Sequence, residues 1–206
     1  MTTAQPESRI YAIVPAAGRS RRMGQAKQLL AVDAKPMLTG ILESLADSQV
    51  KGIALVTYSE IGEAIDVHAL HNTFIVVNDD QDTEMIDSIR LGLCAWHERE
   101  SIDDSDGFLI CPADQPGITT TDFNNCIDAC RRNPDRIIIA AHQGRRGHPI
   151  IFPAAFERFV HSRACNTGLR ALPGAHPDAV LSVACASFAV VRNINTPEDY
   201  DKLNER

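Results

Sequence analysis

Val14-Pro15-Ala16-Ala17-Gly18-Arg19-Ser20-Arg21-Arg22-Met23-Gly24-Gln25-Ala26-Lys27-Gln28-Leu29-Leu30 follows directly on the apolar run that begins at Ile10. A buried strand is therefore expected to end in small residues and a glycine, followed by three arginines, a second glycine and a lysine. Small side chains let backbone N–H groups approach an anion closely. Arginine and lysine then supply positive charge where the anion sits. The pattern is that of a loop that holds a polyphosphate. It is neither a P-loop, because Gln25 rather than lysine follows Gly24, nor a GxGxxG turn, because Ser20 stands at the second glycine position.

The totals bound what surrounds this loop. The chain has 206 residues, 44% of them apolar, enough for one domain with a real core. Twenty basic and 27 acidic side chains leave a net charge of −7, which argues against general affinity for nucleic acid. A cationic loop on an acidic protein suits a small anionic ligand captured at one place. No stretch reaches the roughly 18 apolar residues that cross a bilayer. The polar segment 1–8 lacks the apolar centre of a signal peptide and is expected to be a disordered tail. A cytoplasmic location and no membrane partner follow as expectations. The six cysteines form no CxxC pair and are expected as buried thiols, not disulfides or zinc ligands.

Outward from the loop, strand-like runs at 10–16, 52–57, 73–77, 107–111 and 136–141 alternate with helical patterns at 36–48, 60–69, 84–97 and 119–132. This rhythm predicts an α/β fold of Rossmann-like, three-layer α/β/α type with a mostly parallel sheet. Ligands of such sheets lie beyond the strands' carboxyl ends. The loops after Ala16, Val77 and Cys111 should therefore gather on one edge. Beyond residue 142 the pattern loosens. A turn-rich cationic loop is expected over 143–149, an apolar run over 150–152 and a short helix near 154–161. Strands are expected at 179–185 and 187–192, and a final helix opens at Thr196, a good N-cap. The acidic insert 99–106 reads as a solvated loop.

Three further groups carry chemistry. Asp114, at the end of the run 107–111 and between Pro112 and Pro116, is placed to ligate Mg²⁺. Thr83 and Ser88, near the acid-rich segment 79–87, are neutral donors within reach of a nucleobase or ribose. His148 lies in the basic segment Arg145-Arg146-Gly147-His148-Pro149, which suggests contact with a second anionic substrate.

Together these residues resemble a family. Pro15 to Lys27 resembles the AAGxSxRMGxxK signature of nucleotidyltransferases, and the chain is most similar to the molybdenum cofactor cytidylyltransferase branch, with guanylyltransferases of the same cofactor nearby. Asp87-Ser88-Ile89-Arg90-Leu91-Gly92-Leu93 resembles SSIRAGL, Pro112 to Pro116 resembles GDMP, Arg146 to Phe152 resembles RGHPVLF, and Asn193 to Asp199 resembles DIDTPED. The resemblance spans about residues 9–203. It implies one nucleotidyltransferase domain, with a nucleotide-binding part over about 9–118 and a second-substrate part over 119–203.

The same resemblance implies a fold of the nucleotide-diphospho-sugar transferase type and transfer of a nucleoside monophosphate from CTP to a molybdopterin phosphate, with release of pyrophosphate and a requirement for Mg²⁺. A molybdoenzyme or its chaperone is an implied partner. Ala16, Ala17, Gly18, Ser20, Arg22, Lys27 and Ser88 would bind the nucleotide. Arg22, Lys27 and Asp114 would be catalytic, Asp114 and Asn195 would hold the metal, and Arg146, Gly147 and His148 would meet the second substrate. The departures are Pro15 for leucine, Ala113 and Gln115 beside the acid, asparagine at both 193 and 195, and Asn166 where an acid is expected. Pro15 and the pair Lys27-Gln28 are instead similar to methylerythritol phosphate cytidylyltransferases. Two alternatives stay open: a cytidylyltransferase for a sugar or polyol phosphate, and a non-catalytic cofactor carrier of the same fold.

Overall fold

Ile10–Pro15, buried throughout, forms the strand β1 that the first motif requires. A strand buried on both faces reads as a continuous apolar run, and this one lies between two parallel neighbours. The computed structural model describes residues 8–18, 26–67, 69–70 and 72–204. After β1 come β2 (Ala31–Val32), β3 (Lys35–Pro36), α1 (Met37–Ala46), β4 (Gly52–Thr57), α2 (Ser59–Ala64), β5 (Thr73–Val77), α3 (Met85–His97), β6 (Gly107–Ile110) and α4 (Thr120–Arg132). Then follow β7 (Ile137–His142), β8 (Arg145–Pro153), α5 (Glu157–Val160), α6 (Ala171–Ala175), β9 (Val180–Ala184) and α7 (Pro197–Asn204).

The main sheet has the order β5-β4-β1-β6-β8-β7-β9. Only β8 runs against its neighbours, β6 and β7, so the sheet is mostly parallel as expected. Alternate residues of β1 feed two cores. Ile10, Ala12 and Val14 pack with Leu38, Ile41 and Leu42 of α1 and with Phe123 and Ile127 of α4. Tyr11 and Ile13 pack with Ile89, Leu93 and Trp96 of α3 and with Val160 and Leu172. Helices thus cover both faces, which makes the three-layer α/β/α arrangement. Gly92 lets α3 lie close on the sheet, because a Cβ there would stand 2.6 Å from Ile13 Cγ2.

Four local expectations are corrected. The 143–149 loop is instead a tight hairpin: Gln143 and Gly144 both take positive φ, at 49° and 80°, and His142 pairs with Arg145. That is the two-residue turn whose twist matches the strands it joins. Residues 187–192 are not a strand. Phe188–Val191 is a 3-10 turn, started where Ser187 Oγ accepts from the Ala189 N–H at 3.1 Å. The helix expected over 60–69 ends at Ala64, and Ile65 and Val67 turn into the core. The acidic insert is solvated only in part. Asp106 is buried, and Arg9 Nη2 donates to its Oδ2 at 2.6 Å and Arg9 Nε to its Oδ1 at 3.1 Å. The expected tail falls, for residues 1–7, outside the described residues. All six cysteines are free thiols, and five are buried.

Candidate active site

The three strand-end loops meet where the sheet pattern predicts. A pocket of about 180 Å³ is lined by Pro15 to Gly18, Lys27, Gln28, Thr83 to Met85, Ser88 and Pro112 to Asp114. Ala16 and Ala17 are buried, and the Ala16 N–H is spent on Val56 O at 2.7 Å. Gly18 is exposed, and a Cβ on it would meet no described residue within 4 Å. Ser20 and Arg22 lie outside the described residues.

Lys27 Nζ donates to Asp114 Oδ2 at 2.8 Å, to Ile194 O at 3.3 Å and to Asn195 Oδ1 at 3.3 Å. Asp114 and Asn195, far apart in sequence, are thereby brought together, and three oxygens converge on the Lys27 ammonium. Asn193 does not join them: its Oδ1 accepts from Gln115 Nε2 at 2.6 Å. The Ile194 N–H donates to Asp114 O at 2.9 Å, which ties this C-terminal segment to the loop after β6. Asp199 Oδ2 accepts from the Asn195 and Thr196 N–H groups, both at 3.0 Å, and so holds the turn that presents Asn195.

Among the described residues no group of three or more His, Cys, Asp or Glu could hold a metal. One carboxylate with carbonyl oxygens still suits a hard cation that takes its remaining ligands from phosphates and water. The convergence of oxygens on Lys27 Nζ is a geometry that such a cation fits.

Behind this pocket, and sharing Glu84 and Met85 with it, lies a larger cavity of about 770 Å³. Its floor is apolar, from Ile86, Ile139, Ile150 and Leu169, and Arg146 and Arg170 stand exposed at its rim. Arg146, Gly147 and His148 all line it, which brings together the residues expected to meet a second substrate. A strand irregularity puts them there. Ile139 pairs with Ile150 but Ala141 with Arg146, leaving Gly147, His148 and Pro149 opposite Ala140 alone. Pro149 has no N–H to give to a ladder, and bulged residues of this kind re-aim a side chain. His148 Nδ1 is buried without a partner among the described residues. Burial pushes its imidazole down to about 4, although Asp114 pulls the other way, so the ring is neutral near pH 7. Gly147 also packs: a Cβ there would fall 1.7 Å from Val190 O.

Several residues that shape the site had no assigned role in the sequence. Gln28 is buried, and its Nε2 donates to Ala16 O at 2.7 Å and Gly18 O at 2.8 Å, clasping the strand-end loop. In sequence it is marked only as half of the Lys27-Gln28 pair, which does not say what its side chain binds. Arg90 binds Val160 O, Ser162 O and Asn166 Oδ1 at 2.9, 3.0 and 2.8 Å, and so fixes the wall of the larger cavity. Asn166, unlike an acid, meets Arg90 through its carbonyl oxygen. Asn78 directly follows β5 and reaches both Thr83 and Ser88. Among the described residues no helix is long and apolar enough to cross a membrane.

Known proteins are similar to this chain in sequence and fold. Molybdenum cofactor cytidylyltransferase of Escherichia coli K12 is 28% identical over 203 residues, which cover 97% of each chain. The 2-C-methyl-D-erythritol 4-phosphate cytidylyltransferase of Streptomyces coelicolor is also 28% identical, over 204 residues and 95% of this chain. The chain spans 66% of that protein's length. The crystal structure of Rv0371c from Mycobacterium tuberculosis H37Rv superposes with a TM-score of 0.79 at 24% identity, over 97% of this chain and all 100% of its own. A manganese complex of Rv0371c gives 0.75 at 23%, over 96% and 99%. These likenesses show the fold. A family model, the MobA-like NTP transferase domain, matches residues 12–185, and the chain belongs to that family of nucleotidyltransferases.

Proposed function

We propose that the chain transfers a cytidylyl group from CTP to a phosphate of molybdopterin or its molybdenum cofactor and releases pyrophosphate. The observation that carries this reading is the junction of two pockets at Glu84 and Met85. The smaller is bounded by the strand-end loop and Lys27, the larger has an apolar floor and a cationic rim. A flat, partly apolar heterocycle with a phosphate suits the larger one. On this reading residues 9–118 serve the nucleotide and 119–203 the second substrate.

The reaction needs no side-chain nucleophile, because the attacking phosphate is already anionic. Its oxygen forms a bond to the α-phosphorus, and the bond to the bridging α–β oxygen breaks in line. Catalysis is then positioning and neutralisation of charge. Gly18 gives the phosphates room and Lys27, with Arg22, carries positive charge to the departing pyrophosphate. Arg146 and Arg170 draw in the acceptor's phosphate, while neutral His148 offers an imidazole nitrogen to its ring system. Asp114 Oδ2 and Asn195 Oδ1 would hold Mg²⁺. When bound, such a cation neutralises phosphate charge. The manganese complex of Rv0371c supports a divalent cation.

Pyrophosphate release with CTP, GTP, ATP and UTP, with and without molybdopterin cofactor, tests the reading. Release that requires both CTP and the cofactor is expected. Release only with a polyol phosphate would favour the second reading, which the Streptomyces coelicolor relative and the Lys27-Gln28 pair support. No release under any combination would leave a carrier.

A further inference from the structure

We infer that Asn78 sets the hydrogen-bond polarity of the wall that reads the nucleobase, and so determines the choice of cytosine over uracil. The inference rests on the nucleotide reading of the smaller pocket. Asn78 is buried, and its N–H donates to Thr57 O at 2.8 Å. Its Oδ1 accepts from the Asp80 N–H at 3.3 Å. That contact orients the amide: reversed, it would set Nδ2 donor against N–H donor. Nδ2 therefore faces the other way and donates to Thr83 Oγ1 at 2.9 Å and to Ser88 Oγ at 3.3 Å.

A hydroxyl that accepts from an amide keeps its own hydrogen for another partner. Among the described residues the Thr83 hydroxyl's other acceptor is Glu84 O at 3.5 Å, too long for a good bond. Both residues line the smaller pocket. The wall thus presents two O–H donors, fixed from behind by one amide.

Cytosine offers two adjacent acceptors, O2 and N3, to such a wall. Uracil offers O2 but an N3–H, which would set donor against donor and leave a buried group unpaired. A site built to hydrogen-bond one partner rejects the mismatched one strongly. Asn78 touches no substrate on this account. It is a positioning residue, acting through Thr83 and Ser88.

Calorimetric titration with CTP, UTP and inorganic tripolyphosphate, in the presence of Mg²⁺, tests it. The wild-type chain should bind CTP about tenfold or more tighter than UTP. Asn78→Asp puts only acceptors behind the hydroxyls, which then turn their hydrogens away from the base. In that variant the CTP-to-UTP ratio should fall to about twofold or below, with tripolyphosphate affinity unchanged within about twofold. A purely structural role would weaken all three ligands together and keep the ratio, and that result would overturn the inference. Thr83→Val, nearly isosteric, removes one donor and should lower the ratio several-fold even if Asn78→Asp fails to fold; an unchanged ratio there would also overturn it. Wild-type protein that binds tripolyphosphate and both nucleotides with no preference for CTP would defeat the inference and leave the nucleotide site standing. Wild-type protein that binds none of the three would defeat both.

Discussion

Lys27 Nζ stands 2.8 Å from Asp114 Oδ2, and the same ammonium reaches Asn195 Oδ1 at 3.3 Å. One positive charge thus occupies the point at which the two proposed metal ligands converge. On the proposed reading an arriving divalent cation displaces it, and the displaced ammonium turns to the phosphates. Lys27→Met should therefore bind Mn²⁺ several-fold more tightly without nucleotide, because a competing charge is gone. Pyrophosphate release should drop by about 10² or more, because charge on the leaving group goes uncompensated. Electron paramagnetic resonance of free Mn²⁺ measures the first effect; equal or weaker binding by the variant would contradict it.

Gln28 tests the loop's anchoring. Its side chain donates to Ala16 O and Gly18 O inside the protein. Gln28→Ala should cost about 2 kcal/mol in urea unfolding, since buried carbonyls lose donors. Gln28→Glu should be worse than alanine at neutral pH, because a carboxylate would face two carbonyl oxygens. The opposite order would show that the side chain acts by filling space alone.

Gly147 is tested by volume. The Cβ of Gly147→Ala would overlap Val190 O at 1.7 Å, and that neighbour is backbone. The strand or the 188–191 turn must move, at a cost of about 3 kcal/mol or more. Thermal denaturation reads this directly, and a variant as stable as wild type would contradict the close packing of Gly147 on Val190 O.

His148 gives the protein an acid-side slope. In the unfolded chain the imidazole takes a proton near its ordinary pKa of about 6.5, but in the folded protein only near 4. Between those values the unfolded state binds more protons, so stability falls as pH drops through that window. The loss amounts to roughly 2 kcal/mol once partial exposure is allowed for. His148→Gln should flatten this part of the urea midpoint against pH, and a slope that persists in the variant would assign it elsewhere.

Asp106 and Arg9 join the acidic insert to β1. Burial opposes charge on Asp106, but the Arg9 side chain and the N–H groups of Asp103 and Arg9 outweigh it and hold the carboxyl below its usual range. The stability it contributes is present above the ordinary carboxylate pKa and is lost as pH falls through the lower folded value. Asp106→Asn should cost about 2 kcal/mol at pH 7 and nothing extra in strong acid.

The sheet and its site-bearing edge could be read from the chain because long apolar runs such as Ile10–Val14 and Gly107–Ile110 announce buried parallel strands. Asp114 and Asn195 could be paired by resemblance, and the fold brings them together. What escaped was chemistry that depends on direction rather than composition. Arg145 to Pro149 is polar and turn-rich, yet pairing with β7 makes it strand; that partner lies across a two-residue turn whose positive φ at Gln143 composition does not mark. Gln28 and Arg90 lie in family-like stretches and Asn78 does not, but no motif says what any of the three side chains binds. Each matters because a carbonyl or hydroxyl from a distant segment faces it.

The antiparallel entry of β8 has one more consequence. Ile110 pairs with Ile150, so two steps past that pair one strand reaches Pro112 and the other His148. The ladder acts as a ruler: the spacing between the walls of the two pockets is counted in peptide units. Side chains along it can be exchanged freely without changing that count. A single residue inserted or deleted between His148 and Phe152 would instead turn the imidazole to the opposite face of the sheet. Relatives that accept a different second substrate are thus expected to differ in the side chains of this stretch and to keep its length.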